Sequence, residues 1–318
     1  MSRVKFLIPF AAILLSLFVS CEKHEGSREA EIALTVSIPS SIGTKAISDG
    51  SQVNIVHYVA FGPNGKTVLN GTAAISSNSP AVINAVLVKY VEYNFVFWAH
   101  KGDDNGAHAA YDLSTFNTDG KVVVSYEGSA NDEERDAFYN HAVVMIDETE
   151  ASLHKTVYLY RPFAQINFLA SDYEVVEDAD IHKSLVSTVE IADIPNVLNG
   201  QDGTVEVSGE VSTSLEFKAV PVEYFNAADN TKYGWYSMNY ILAAEGRNDN
   251  MEVLGKFMHG QSQNSIDVPV GNVPYQRNYR TNIIGDFLTE QAELTVEISP
   301  NFVDADGDGM PDDIIKNI

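Results

Sequence analysis

The sequence predicts an all-β protein of two β-sandwiches in tandem, and three observations predict it. Short apolar or alternating runs recur along the 318 residues, separated by turn-forming residues and not by long helical stretches. Tyr, Phe and Trp make up 10% of the chain, and such rings pack well on pleated surfaces. The length fits two domains at about 150 residues each.

The first element is an address. Arg3 and Lys5 precede an apolar run from Phe6 to Val19, and Ser20 then stands before Cys21, the single cysteine of the chain. A basic start, an apolar stretch too short for a comfortable bilayer span and a small residue make a signal peptide over 1–20. One cysteine has no intramolecular partner, so its place directly after the apolar run needs another reason. Phe18-Val-Ser-Cys21 resembles the lipobox of bacterial lipoproteins, with Phe where Leu is usual. The resemblance implies a diacylated Cys21 and membrane attachment through lipid; the alternative is an incidental thiol behind an ordinary secretory signal. Residues 21–30 are polar and mixed in charge, as a tether would be.

From Glu31 to Ile38 the chain alternates strictly, with Ile32, Leu34, Val36 and Ile38 on one side and Ala33, Thr35 and Ser37 on the other. That period predicts a half-buried strand. Turn formers fill 39–50, and a second strand runs from Asn54 to Phe61. Gly62-Pro-Asn-Gly65 predicts a hairpin turn, because Pro presets one dihedral and Asn-Gly tolerates positive φ. Strands follow at 81–87, 93–100 and 122–125. The stretch 129–141 predicts a short helix, opened by a Ser/Asn/Asp cluster with Glu133 and Glu134 in its first turn. Further strands are expected at 141–145, 155–160, 164–170, 186–191, 204–211, 215–219, 234–243, 251–258, 265–270, 279–284 and 293–298. The expected organisation is an N-terminal sandwich over 31–158, a C-terminal sandwich over 159–303 and an acidic tail over 304–318.

Composition narrows the function classes. The chain carries 44 acidic and 20 basic side chains, a formal charge of −24, yet is 45% hydrophobic. A disordered acidic chain is excluded, since this much apolar surface can build a core. Nucleic acid is not an expected partner, because phosphate binding needs clustered Lys and Arg.

Several strings in order resemble one family. Phe95-Val-Phe-Trp-Ala99, Asn131-Asp-Glu-Glu-Arg-Asp-Ala-Phe138, Leu159-Tyr-Arg-Pro-Phe-Ala-Gln-Ile-Asn167, Arg277-Asn-Tyr-Arg-Thr-Asn-Ile-Ile-Gly285 and Leu288-Thr289 are similar to fimbrillin-related lipoproteins of gut and oral anaerobes, including relatives that carry only a domain of unknown function. The resemblance runs from about Ala46 to Phe302, and its most specific string is Arg161-Pro-Phe-Ala-Gln165. It implies two transthyretin-like β-sandwich domains, with that string near their junction.

The resemblance also implies a mechanism. In such proteins a lipidated precursor is cut by a trypsin-like protease in the loop after its first strand, and an extended segment of a neighbouring subunit fills the groove left behind. This is β-augmentation, in which an unpaired edge offers main-chain donors and acceptors. Here the strand 31–38 lies between anchor and body, and the loop after it holds Lys45-Ala46, Lys where the family usually has Arg. A cut there would remove strand and lipid together, whereas a cut after Arg28 would retain the strand. The other reading of Lys45 is a solvated loop lysine. The implied donor is the C-terminal segment, with Leu294, Val296 and Ile298 as the apolar plug.

Other residues suggest ligands. Asp304, Asp306, Asp308 and Asp312 stand at positions 1, 3, 5 and 9 of a calcium-type loop, with Gly309 at position 6. Position 12 is Ile315, so the bidentate acid of an EF-hand is missing, and an acidic tail without Ca2+ is the alternative. Trp235, with Tyr233 and Tyr236, is a candidate surface for stacking on sugar rings, against core packing as the other reading; Trp98, inside an apolar run, is expected in the core. The eight histidines form no H-x-x-x-H pair, and there is no G-x-S-x-G elbow or phosphate-binding glycine loop. His100 and His108 flank Asp103-Asp104-Asn105, read as a polar turn in preference to a metal loop. Arg161 and Arg280 are expected to pair structurally.

The expectation is therefore a non-enzymatic, fimbrillin-like surface lipoprotein at the outer membrane, or in a fimbrium if processed. Its expected partners are the membrane through the lipid, pilin subunits of the same or a related type, and a host or glycan ligand. The alternative is a carbohydrate-binding surface lipoprotein that never polymerises.

Overall fold

The computed structural model describes residues 28–38, 50–127, 131–147, 152–172, 186–208, 212–218, 222–226, 231–245, 249–258, 265–287, 294–300 and 315–317. For some strand residues, Tyr233 and Trp235 among them, only the backbone is described. The first half carries β1 (Glu29–Ser37), β2 (Ile55–Phe61), β3 (Thr67–Ala74), β4 (Ala81–Val88), β5 (Tyr93–His100), β6 (Tyr111–Asp112), β7 (Lys121–Val124), β8 (Ala137–Val144) and β9 (Ser152–Tyr158), with the one-turn helix α1 (Phe116–Asp119) between β6 and β7. The second half carries β10 (Phe163–Ala170), β11 (Val186–Ala192), β12 (Val197–Asn199), β13 (Val205–Glu206), β14 (Ser212–Lys218), β15 (Val222–Asn226), β16 (Thr231–Leu242), β17 (Asp249–Met258), β18 (Ser265–Tyr275), β19 (Tyr279–Gly285), β20 (Thr295–Pro300) and β21 (Ile315–Asn317). The protein is all-β.

Five sheets form. A three-stranded sheet of order β4-β1-β9 faces a four-stranded sheet of order β3-β2-β5-β8. Between them lies one core, built from Ile32, Leu34 and Val36 on one side and Val56, Phe95, Phe97 and Phe138 on the other. A six-stranded sheet, β15-β16-β10-β19-β20-β21, and a four-stranded sheet, β14-β11-β17-β18, supply a second core that includes Phe168, Val189, Phe257 and Ile283. A small sheet, β13-β12-β7-β6, lies beside the outer face of β2-β5 and joins that second core. β6 and β7 precede residue 158 while β12 and β13 follow it, so this sheet is shared across the expected division at 158/159.

The apolar run 93–100 follows from that layering. Phe95, Phe97 and Ala99 point into the first core and Val96 and Trp98 into the second. A strand buried on both faces reads as a continuous apolar run and not as an alternation. The hairpin at 62–65 forms as its residues predict: Gly65 N–H donates to the Gly62 carbonyl at 2.9 Å, and Gly65 sits at φ 67°.

Two expectations fail. The helix expected over 129–141 is not formed in its described part, 131–141: Glu133–Arg135 makes a single 3-10 turn, with the Asp132 carboxylate accepting from Glu134 N–H at 3.0 Å, and β8 starts at Ala137. Ala137, Phe138 and Tyr139 are all buried, which a strand covered on both faces allows and an exposed helix does not. Strands also stand where none was expected, at β6, β12, β15, β21 and, longest of them, β3. Asn70 and Gly71 weaken its signal, but the Tyr58 ring packs over Gly71, where an added Cβ would lie 2.5 Å from the phenol oxygen.

Candidate functional site: the slot of the first strand

The slot is built by β1 itself. β1 pairs antiparallel with β4 from Glu29↔Val88 to Val36↔Ala81, and parallel with β9 from Glu31↔Ser152 to Ser37↔Tyr158. Among the described residues it is the only ladder partner of both, since the sheet order is β4-β1-β9. Its alternation decides which side faces in: Ala30, Ile32, Leu34, Val36 and Ile38 are 4%, 2%, 0%, 0% and 1% exposed. Burying a Val, Leu or Ile is worth roughly 1.5–3 kcal/mol, so the four large side chains contribute roughly 6–12 kcal/mol, comparable with the net stability of a whole domain. Without β1, β4 and β9 lose their main-chain partner together, and the first core opens along its length. On the solvent side, Glu31, Ala33, Asn84, Val86, Ser152 and His154 line a shallow groove of about 350 Å³.

Charged residues of the motif strings pin the far end of the slot. Leu159 N–H donates to the Ser37 carbonyl at 2.9 Å, and Tyr139 and Tyr160 exchange two main-chain bonds. Arg161 then makes a bidentate pair with Asp136, both contacts at 2.7 Å, and its guanidinium lies 4.6 Å over the Phe138 ring. Arg277 stacks 4.8 Å over Tyr139, donates to the Arg161 carbonyl at 3.4 Å and meets Glu245 at 3.3 Å. Arg280 donates to Gln165 at 2.7 Å. The three Arg-containing strings thus meet where the chain passes from β9 into β10, and Arg161 and Arg280 make structural pairs, as the sequence predicts.

The remaining candidates divide. Cys21, Lys45, Ala46, Asp304, Asp306, Asp308 and Asp312 lie outside the described residues. Tyr233 and Trp235 lie on β16 between β15 and β10. Tyr236, a candidate stacking ring, corrects that expectation: it is fully buried, edge-on to Phe257 at 5.0 Å, so it packs the second core and presents no face to a sugar. Trp98 is buried against Tyr111 and Phe163, as expected. Val296 is also buried in the second core with Leu294 packed against it, because β20 already pairs with β19 and β21. The expected donor segment therefore serves its own sheet in the isolated chain.

The turn after β5 is polar, as predicted. Asp103 accepts from Asn105 and Ala107 N–H at 2.8 and 2.9 Å, which holds its carboxyl below the usual range. Sequence reasoning missed its neighbour: His57 stacks on His100 at 5.2 Å, with His108 at 6.1 Å. Burial, then the proximity of His57, pushes His100 down to about 4. Among the described residues no group of three or more His, Cys, Asp or Glu is placed to hold a metal.

No curated protein sequence matches the chain. Its fold is similar to the crystal structure of a candidate adhesin from Bacteroides thetaiotaomicron, with a TM-score of 0.52 and 10% identity over 85% of this chain and 96% of that one. It is also similar to a candidate polysaccharide-binding protein of the same organism, with a TM-score of 0.49 and 15% identity over 91% and 98%. A fimbrial assembly protein from Parabacteroides distasonis aligns with a TM-score of 0.47 and 8% identity, again over 91% and 98%. The model of a family of unknown function (DUF6562) matches residues 24–315, and the chain belongs to that family.

Proposed function

We propose that this chain is a fimbrillin-like component of the cell surface, structural or adhesive and not catalytic, delivered as a lipoprotein on Cys21 and assembled by strand complementation. The observation that carries the reading is the place of β1. Among the described residues it is the sole ladder partner of β4 and β9, it and Ile38 plug the first core with five buried side chains, and it lies between Cys21 and the body. Cleavage at Lys45-Ala46 removes strand and lipid in one step and leaves an apolar slot with main-chain groups on both sides. A segment of a second subunit then fills it. The proposed donor is 294–298, which must leave β19 to do so. The fold shared with a candidate adhesin agrees with a surface role. The carbohydrate-binding alternative loses one of its three rings with the burial of Tyr236.

The test is to cut the full-length protein with a trypsin-like protease and follow it at high concentration. Loss of the β1-bearing peptide that ends at Lys45, with a ladder of detergent-resistant oligomers, is expected. A cut protein that keeps the peptide bound and stays monomeric contradicts the mechanism. The proposal includes a Ca2+ site at Asp304, Asp306, Asp308 and Asp312, supported by their spacing. Titration calorimetry should give a heat that Asp306→Asn with Asp308→Asn removes; no heat at millimolar Ca2+ rejects the site.

A further inference from the structure

We infer that the end of the first sandwich at which the chain enters β1 is a lipid-docking surface, seated on the bilayer that holds the acylated Cys21. The inference rests on the lipid anchor of the proposed function and adds which face of the molecule meets the membrane.

Three elements converge at that end. Lys89 N–H donates to the Arg28 carbonyl at 2.8 Å, and Glu29 stands opposite Val88. Tyr90 N–H donates to the Ile146 carbonyl at 3.0 Å, and Tyr93 stands opposite Val144. The start of β1, the turn from β4 to β5 and the end of β8 therefore share one rim. Beside its charged residues it carries exposed apolar side chains: Tyr90 58% in the turn itself, Val88 41% and Val86 59% on the outer face of β4, and Val143 49% and Met145 51% at the end of β8 in the opposing sheet, so that they flank the turn from both sides. Ten large apolar side chains are exposed among the described residues, and five of them are here. Scattered exposed apolar residues need no explanation, but a cluster at one end does.

The length of the leader says what covers it. Arg28 follows Cys21 by seven residues, a span of at most about 25 Å and, for a flexible chain, about 15 Å on average. An acylated Cys21 holds this rim beside the bilayer at an effective concentration where weak contacts suffice. Tyr90 is suited to the headgroup level, where an amphipathic ring has both its environments. Arg28, Glu29, Lys89, Glu92 and Asp147 give the rim both signs of charge, so the contact is apolar and does not require an anionic lipid.

Tyr90→Trp and Tyr158→Trp, made separately in the full-length lipidated protein, test this. Tyr158 is 53% exposed and stands opposite Ser37, at the other end of β1. A nine-residue strand separates the two positions by roughly 30 Å. The protein is reconstituted into vesicles of phosphatidylethanolamine and brominated phosphatidylcholine, with the emission of Trp98 and Trp235 subtracted using the parent. The expected result is loss of most of the added emission from residue 90 and none from residue 158, with the loss abolished by Val88→Asp and Met145→Asp together. The intact mass separates the two claims. An acyl mass on Cys21 with no quenching at residue 90, or with equal quenching at both positions, overturns the docking alone. No acyl mass on Cys21 overturns the anchor and the docking together. An acylated protein whose residue 90 is shielded only on dimerisation assigns the rim to a second copy and also overturns the docking.

Discussion

Arg161 shows how a single residue holds the slot in shape. It is 7% exposed and Asp136 is 2% exposed, so the pair is desolvated on both sides and fixed by two parallel hydrogen bonds. A buried pair adds little over an apolar replacement, but losing one partner strands a buried charge. Arg161→Ala should therefore destabilise the protein by about 3–5 kcal/mol in urea unfolding, and Arg161→Leu combined with Asp136→Leu by clearly less. Equal losses in the single and double variants would deny the pair this role. His100 gives a second measurable consequence. Its folded value is depressed to about 4 by burial and by His57, so the unfolded chain takes up the proton first. Its contribution is complete above the ordinary value near 6.5 and is lost as pH falls from there towards 4, on the order of 3 kcal/mol in all. Stability measured across that window should fall with acid, and His100→Phe should flatten the slope. The pairing role of Arg161 was legible because an Arg within a β-rich string needs a partner. The His57–His100 stack was not, because the two residues are brought together only by the pairing of β2 with β5.

At the scale of elements, β1 is the most legible and the most consequential. Strict alternation over 31–38 predicts both its conformation and its buried face, and each of its predicted inward residues is buried. Leu34→Ala, at a fully buried site, should cost about 2–5 kcal/mol and, if the slot exchanges strands, should hasten release of the cleaved peptide that ends at Lys45. Stability lost with no change in release rate would mean that β1 is a structural strand only. Elsewhere local signals pointed the wrong way. Capping residues at 129–134 promised a helix, but the apolar pattern after them is that of a strand buried on both faces. Gly71 hid β3 because its strand conformation depends on a ring from the neighbouring strand. Tyr236 sits in an aromatic cluster that looked like a binding surface, and only the position of β17, carrying Phe257, shows that it faces inward.

For the whole molecule, texture and length gave an all-β chain with two cores, while the sheet formed by β6, β7, β12 and β13 could not be read in advance. Such pairing joins residues about 75 positions apart, Val123 with Val197 for example, and neither strand carries a mark of its partner. The same layering places β1 in the first core alone, with none of its buried side chains in the second core that holds β10, β16 and β19. The central claim is that β1 is a placeholder in a slot that another chain later occupies. The N-terminal sequence and intact mass of the protein recovered from the native cell surface test it most directly. A start at Ala46 without acyl mass is the predicted result for the assembled form. A start at acylated Cys21, with no shorter form present, would contradict it.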